Sequence, residues 1–177
     1  DYLLDNSNIR CIAVDGANQK WFGTDNGVYL ISDDCNTQIY HFNTENSPLI
    51  SNTIHSIAIN NNAGKVYFAT DKGLCSFNNG IVSPNAEMTK DNVYAYPNPV
   101  KPDYTGKINI VGLSFNADIK IVSTNGTLIN EGRSAGGSYT WDGCDQNGKK
   151  VASGIYMVET ATESGEKGMV CKIAIIR

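Results

Sequence analysis

Two segments in the first half of this 177-residue chain repeat one another, and the length of that repeat narrows the possible folds sharply. The first segment opens with Ile9-Arg10-Cys11-Ile12-Ala13-Val14 and continues to Trp21-Phe22-Gly23-Thr24-Asp25-Asn26-Gly27-Val28-Tyr29. The second opens with Ile54-His55-Ser56-Ile57-Ala58-Ile59 and continues to Tyr67-Phe68-Ala69-Thr70-Asp71-Lys72-Gly73-Leu74-Cys75. Ile9 and Ile54 are 45 residues apart, as are Ile12 and Ile57, whereas Trp21 and Tyr67 are 46 apart, as are Gly27 and Gly73. One residue inserted in the loop Asn60-Asn61-Asn62-Ala63-Gly64 accounts for the step. Each unit has a β-rich run, an Asn/Gly turn, an aromatic pair and a Thr-Asp-x-Gly hairpin whose glycine can take positive φ. A period of about 40 to 50 residues with several strands per unit is that of propeller blades. A fourth strand is expected at residues 38–42 in the first unit and, more weakly, at Ile81-Val82 in the second. Two blades do not close a ring of about four to eight, so residues 1–83 are expected to be the C-terminal part of a longer propeller.

The periodicity lapses between Gly80 and Asp91, where Pro84 and a polar run mark a linker over residues 84–91. Strand candidates then recur at 93–96, 107–111, 118–123, 128–133, 138–141, 155–160 and 169–176. Alternation is plain in Ile108-Asn109-Ile110-Val111 and Ile119-Lys120-Ile121-Val122, as half-buried strands require. Asn125-Gly126, Gly136-Gly137, Asn147-Gly148 and Ser164-Gly165 supply the turns. Seven short strands so punctuated predict an immunoglobulin-like β-sandwich over residues 92–177. Trp141 is expected to pack on its core, while Pro97 and Pro99 fix φ on either side of Asn98. The fold class is therefore all-β: two propeller blades followed by a sandwich. Apolar residues at 41% and charged residues at 18% suit such a chain and disfavour disorder.

The formal charge is −4, with five Lys/Arg against nine Asp/Glu in residues 1–90 and nine of each thereafter. No basic stripe favours nucleic acid, and the apolar runs fall far short of the roughly 18 residues that span a bilayer. The chain starts at Asp1 without a signal-peptide pattern, and an upstream export signal is compatible with that start. Five cysteines without a C-x-x-C pair read as free thiols, with Cys11, Cys75 and Cys171 as apolar filler. One disulfide would be allowed, but spacing assigns none. His41 and His55 lack a partner motif, so no catalytic or metal role is assigned to them. Asp142, Asp145 and Asn147 have a faint calcium-loop look, but Gly143 stands where a second acidic ligand is wanted, so a plain hairpin turn is favoured. Lys149 and Lys150 read as a solvated pair. Trp21, Phe22, Tyr67 and Phe68 could line a glycan groove, with burial between blades the favoured reading. No G-x-S-x-G frame, P-loop or dinucleotide fingerprint occurs. The expectation is a non-enzyme without cofactor or metal.

Two resemblances add to this reading. The Trp-Phe-Gly-Thr-x-x-Gly run of the first repeat resembles the blades of bacterial two-component-regulator propellers, and the second repeat departs from it at Tyr67 and Ala69. Tyr96-Pro97-Asn98-Pro99, Thr124-Asn125-Gly126, Gly154-Ile155-Tyr156-Met157-Val158 and Lys172-Ile173, in that order, resemble the C-terminal sorting domain of the type IX (Por) secretion system of Bacteroidetes. The stretch from Trp141-Asp142-Gly143 to Tyr156 is similar to the FlgD-type immunoglobulin-like fold. Blades followed by such a domain resemble the PorZ-type accessory proteins of that system. The resemblance implies export through the periplasm to the outer-membrane cell surface, and partners among the translocon and attachment-complex proteins. It also implies contacts with anionic lipopolysaccharide and the sortase. It marks Pro97, Asn98, Pro99, Gly154, Tyr156 and Lys172 as sorting-signal candidates and assigns no ligand residues to the propeller. The rival expectation is a glycan-binding or sensory surface propeller that uses the C-terminal domain only as an address.

Overall fold

The computed structural model describes residues 3–5 and 7–177, apart from the side chain of Met169. Among the described residues there is no helix; fourteen strands form four open sheets whose ladders are all antiparallel. The chain divides into two compact units, Asp1–Ser83 and Pro84–Arg177.

In the first unit, β1 (Ile9–Val14), β2 (Lys20–Thr24), β3 (Gly27–Ile31) and β4 (Gln38–Phe42) make one sheet in sequence order. β5 (Ile54–Asn60), β6 (Lys65–Thr70) and β7 (Gly73–Asn78) make the second. Gly27 and Gly73 close equivalent hairpins at φ 103° and 127°, and Thr24 Oγ1 and Thr70 Oγ1 each donate to the glycine carbonyl three residues on, at 2.9 and 2.8 Å. These matched turns are why the Thr-Asp-x-Gly pattern recurs.

The expected fourth strand of the second repeat does not form. Ile81 and Val82 lie in coil, because the chain turns away at Gly80 and folds onto the β5–β6 turn. There Asn79 N and Gly80 N donate to Gly64 O (3.0 and 3.1 Å), and Ser83 N donates to Asn61 O (3.0 Å).

The two repeats use opposite faces. In the first sheet the rows Ala13–Trp21–Leu30 and Cys11–Gly23–Val28–Phe42 share one face. In the second, the rows Ile57–Phe68–Cys75 and Ile59–Val66–Phe77 share the face that packs onto it. Trp21 is fully buried at the centre, with its ring centroid 6.4 Å from Phe42, 5.8 Å from Phe68 and 6.1 Å from Phe77. Each fully buried aliphatic side chain contributes about 1.5–3 kcal/mol, and Val28, Ile54 and Val66 are three such contributions to this core. Gly23 sits in this seam, where a Cβ would stand 2.4 Å from Cys11 Sγ and 2.6 Å from Ile54 Cγ2. The equivalent Ala69 lies on the other face of its sheet, beside Leu74 in the ladder, and is half-buried.

In the second unit β8 (Tyr94–Tyr96), β9 (Ile108–Val111) and β12 (Ser138–Trp141) form a sheet in the order β12-β9-β8, and β10 (Asp118–Ser123), β11 (Leu128–Arg133), β13 (Gly154–Ala161) and β14 (Lys167–Ile175) form another in the order β11-β10-β13-β14. All seven expected strands are present; β13 is longer by a residue at each end, and β14 starts two residues earlier. Ile108, Ile110, Ile119, Ile121, Trp141, Val158 and Ile173 meet in one core, while Lys120 between two of them is exposed. Residues 84–91 run along this unit: Asn85 N donates to Leu113 O at 2.9 Å, and Met88 packs against the core.

Candidate functional site

The sorting-signal candidates lie on or beside the last two strands of the second unit: Gly154 and Tyr156 on β13, Lys172 on β14, and Pro97, Asn98 and Pro99 in the segment after β8. β14 lies at the edge of its sheet, paired on its inner side with β13, where Gly154 faces Ile175 and Tyr156 faces Ile173. An edge strand leaves a row of backbone donors and acceptors unpaired, which invites stray pairing unless it is covered. Here the segment after β8 covers part of that edge. The Tyr96-Pro97 and Asn98-Pro99 peptide bonds are both cis. Since Pro97 and Pro99 have no N–H, the polar groups turned to β14 come from Asn98 and Val100. Asn98 Nδ2 donates to Lys172 O at 2.8 Å and Asn98 Oδ1 accepts from Ala174 N at 3.0 Å, so the side-chain amide stands in for a strand's own peptide group. Val100 N then donates to Ala174 O at 2.8 Å, and Ile176 N to Val100 O at 2.9 Å. Val100 is buried and bridges Ile175 in parallel.

Asn98, Gly154, Tyr156 and Lys172 thus converge on one ribbon although they are as many as 74 residues apart. Their roles differ. Tyr156 is buried, its ring edge-on to Trp141 at 5.7 Å and its hydroxyl donating to Ala152 O at 2.9 Å, so it serves the fold. Lys172 contributes its carbonyl to the clasp, and its side chain is exposed. Pro97 is half-buried; Asn98, Pro99 and Gly154 are exposed.

Sequence reasoning missed Val100, Ser153 and Arg177. Arg177 N donates to Ser153 Oγ at 2.8 Å, and Arg177 Nε to Val151 O at 3.1 Å. Val100 was detectable as the first apolar residue after the Pro-Asn-Pro run, whereas the Ser153–Arg177 contact had no local signal. Burial pushes the Cys171 thiol on β14 up to about 11, which leaves it a poor nucleophile at neutral pH.

The other candidates resolve into structural parts. Asp142 Oδ1 accepts from Cys144 N at 2.9 Å, and Asp145 Oδ1 accepts from Asn147 N and Lys149 N at 2.9 and 3.0 Å, so both carboxylates are engaged in closing a turn. Among the described residues no group of three or more His, Cys, Asp or Glu is placed to hold a metal ion. His41 stacks on Tyr29 with ring centroids 3.9 Å apart and shares a 2.8 Å hydrogen bond with Asn26 O; His55 is exposed. All five cysteines are free. Of the four aromatics considered for a groove, Trp21 and Phe68 are buried, and Phe22 and Tyr67 are half-buried.

Residues 94–175 match the family described as the secretion system C-terminal sorting domain. No curated protein matches the chain. Among solved structures, the chain aligns over 100% of its length with PorZ of Porphyromonas gingivalis, described as an essential bacterial surface component of the type IX secretion system. The identity is 38% and the TM-score 0.65. The match covers 24% of PorZ, so this chain spans about a quarter of that protein's length. Dimeric latent PorU from the same organism aligns with 63% of this chain and 12% of its own, at 19% identity and a TM-score of 0.37. With a sorting domain at residues 94–175 and similarity to PorZ along its whole length, the chain belongs with the type IX secretion system proteins of PorZ type.

Proposed function

We propose that this chain is a non-enzymatic, exported surface component of a type IX secretion system. Residues 92–177 act in it as an immunoglobulin-like sorting domain, and residues 1–83 as two blades of a β-propeller. The carrying observation is the clasp on β14: Asn98, in the Pro-Asn-Pro run of the sorting-domain match, is hydrogen-bonded to the backbone of the last strand. Recognition, not chemistry, is the mechanism. The translocon reads the β13–β14 ribbon once Asn98 and Val100 have fenced its edge, with the exposed Lys172 side chain and Pro99 as contacts. Passage runs from the periplasm to the outer-membrane surface, where attachment-complex proteins are partners and the blades support contacts with lipopolysaccharide or the sortase. The glycan-binding alternative is disfavoured by the burial of Trp21 and Phe68, which removes half of its aromatic platform.

Deletion of residues 169–177 tests this reading in the parent protein, by surface protease accessibility against periplasmic retention. Retention in the periplasm is expected, and surface display at the parental level would overturn the reading. Point variants separate reading from folding. Lys172→Ala leaves the carbonyl clasp in place and is expected to lower export at unchanged stability. Asn98→Ala is expected to lower both, with a loss of about 1–3 kcal/mol for two hydrogen bonds.

A further inference from the structure

A strand with one wet face alternates apolar and polar residues, whereas a strand covered on both faces reads as a continuous apolar run. β10 begins with the alternating Ile119-Lys120-Ile121, but β13 carries Ile155-Tyr156-Met157-Val158 and β14 carries Ile173-Ala174-Ile175. Tyr156, Val158, Ile173 and Ile175 fill the core. Successive side chains of a strand point to opposite faces, so Ile155, Met157 and Ala174 stand on the outer face of the sheet. Ile155 is 50% exposed there.

The ladder sorts that outer face into rows. Leu128, Val122, Met157 and Lys172 stand side by side across β11, β10, β13 and β14, with the Ile155–Ala174 pair in the row beside them. On the other side the next row is Glu131, Lys120, Glu159 and Val170, and beyond it Arg133 pairs with Asp118 at 2.9 Å. One half of the face is therefore apolar and the other charged, and the Lys172 ammonium is set into the apolar half. Packing within the domain accounts for the inner residues of these strands and leaves the outer ones without a task.

We infer that the apolar half of this face is where the translocon docks, and that the docking protein brings an apolar surface with one carboxylate opposite Lys172. Covering the face takes the Lys172 ammonium out of water, and an opposite charge offsets that cost. The neighbouring row of Glu131, Lys120 and Glu159 sets two carboxylates against one ammonium, which repels an anionic lipid or glycan surface and favours a protein partner. Five apolar side chains, Val122, Leu128, Ile155, Met157 and Ala174, are few beside the roughly 20–30 residues a side of a stable interface. The contact is thus one that forms and releases during export. It rests on the sorting-domain reading proposed above and adds to it the face used and the chemistry of the partner.

The test is made in the full-length parent protein, with surface protease accessibility as the readout and thermal melts of the 177-residue chain as the check on folding. Ile155→Thr combined with Leu128→Thr removes apolar surface at two exposed positions, and is expected to lower surface display about tenfold or more at an unchanged melting midpoint. Lys120→Ala, in the charged row, is expected to be displayed at the parental level. Lys172→Gln is expected to lower display, and Lys172→Arg to restore most of it. A photo-activated benzophenone side chain replacing Ile155 is expected to cross-link to a translocon protein beside an acidic residue, and the same group replacing Lys120 is expected not to. Parental display of the folded double variant would overturn the inference, as would Lys172→Arg displayed no better than Lys172→Gln. If the double variant melts early, cross-linking decides: equal capture from the two positions, or capture of a second copy of the chain, counts against the docking face. Retention of the 169–177 deletion beside parental display of the double variant leaves the sorting reading standing without this face; parental display of that deletion sinks both.

Discussion

Asp15 is a buried carboxylate that organises the first unit from one position. Its Oδ1 accepts from Ala17 N at 3.0 Å and Gln19 N at 3.1 Å, closing the β1–β2 turn, and its Oδ2 accepts from Trp21 Nε1 at 3.0 Å and Asn79 Nδ2 at 3.3 Å. Buried charge is tolerated only where its lone pairs are satisfied, and here all four partners are neutral donors. Asp15→Ala strands several of them and is expected to cost about 2–4 kcal/mol; urea denaturation followed by Trp21 fluorescence reads the loss. Asp15→Asn keeps acceptor capacity at one oxygen and is expected to cost less. The second repeat holds Asn60 in the equivalent place, and it makes only the local part of the set, accepting from Asn62 N and Ala63 N at 3.1 Å each. The turn chemistry of both residues is legible in the sequence, because Asp and Asn bond their own backbone two residues on. The bonds from Asp15 to Trp21 and Asn79 are not legible, since they depend on the side chain pointing into the seam between two sheets.

At the scale of elements, the departure of the second repeat from Trp-Phe-Gly-Thr to Tyr-Phe-Ala-Thr follows from packing. Gly23 lies where β5 crosses the first sheet, with no room for a methyl group; Ala69 carries its methyl group on the other face of the second sheet, half-buried. Gly23→Ala is therefore expected to destabilise the first unit by about 1–3 kcal/mol through overpacking. Ala69→Gly is expected to cost about 0.5–1 kcal/mol, from backbone entropy alone. Chemical denaturation of both variants checks this, and equal losses would contradict the face assignment. The strands were readable in advance because alternation and turn residues are local signals: Ile119-Lys120-Ile121 gives its inward face away, and Asn125-Gly126 gives the turn. The missing strand at Ile81-Val82 was not. Two β-branched residues favour extension, but the hydrogen bonds that Gly80 and Ser83 make to the Asn61–Gly64 turn outweigh so short a run.

For the whole molecule, the two units carry separate cores that share no residue, and each holds one of the two tryptophans, Trp21 and Trp141. Trp141→Phe and Trp21→Phe variants therefore isolate the emission of one unit each. Gly23→Ala is expected to move the Trp21-reported urea midpoint and to leave the Trp141-reported midpoint in place; a common shift would show that the units unfold as one. The sequence by itself determined the all-β class, the repeat, the hairpin turns and the identity of the terminal domain, because each is written in spacings of a few residues or in motifs read in order. Only the tertiary structure decided which face of each repeat is buried, which strand is left with an open edge, and that Asn98 closes the backbone of β14 while Tyr156 disappears into the core. Those outcomes depend on which elements meet in space, and identical local patterns, such as Ile9 and Ile54, reach opposite exposures when only one of them finds a sheet to cover it.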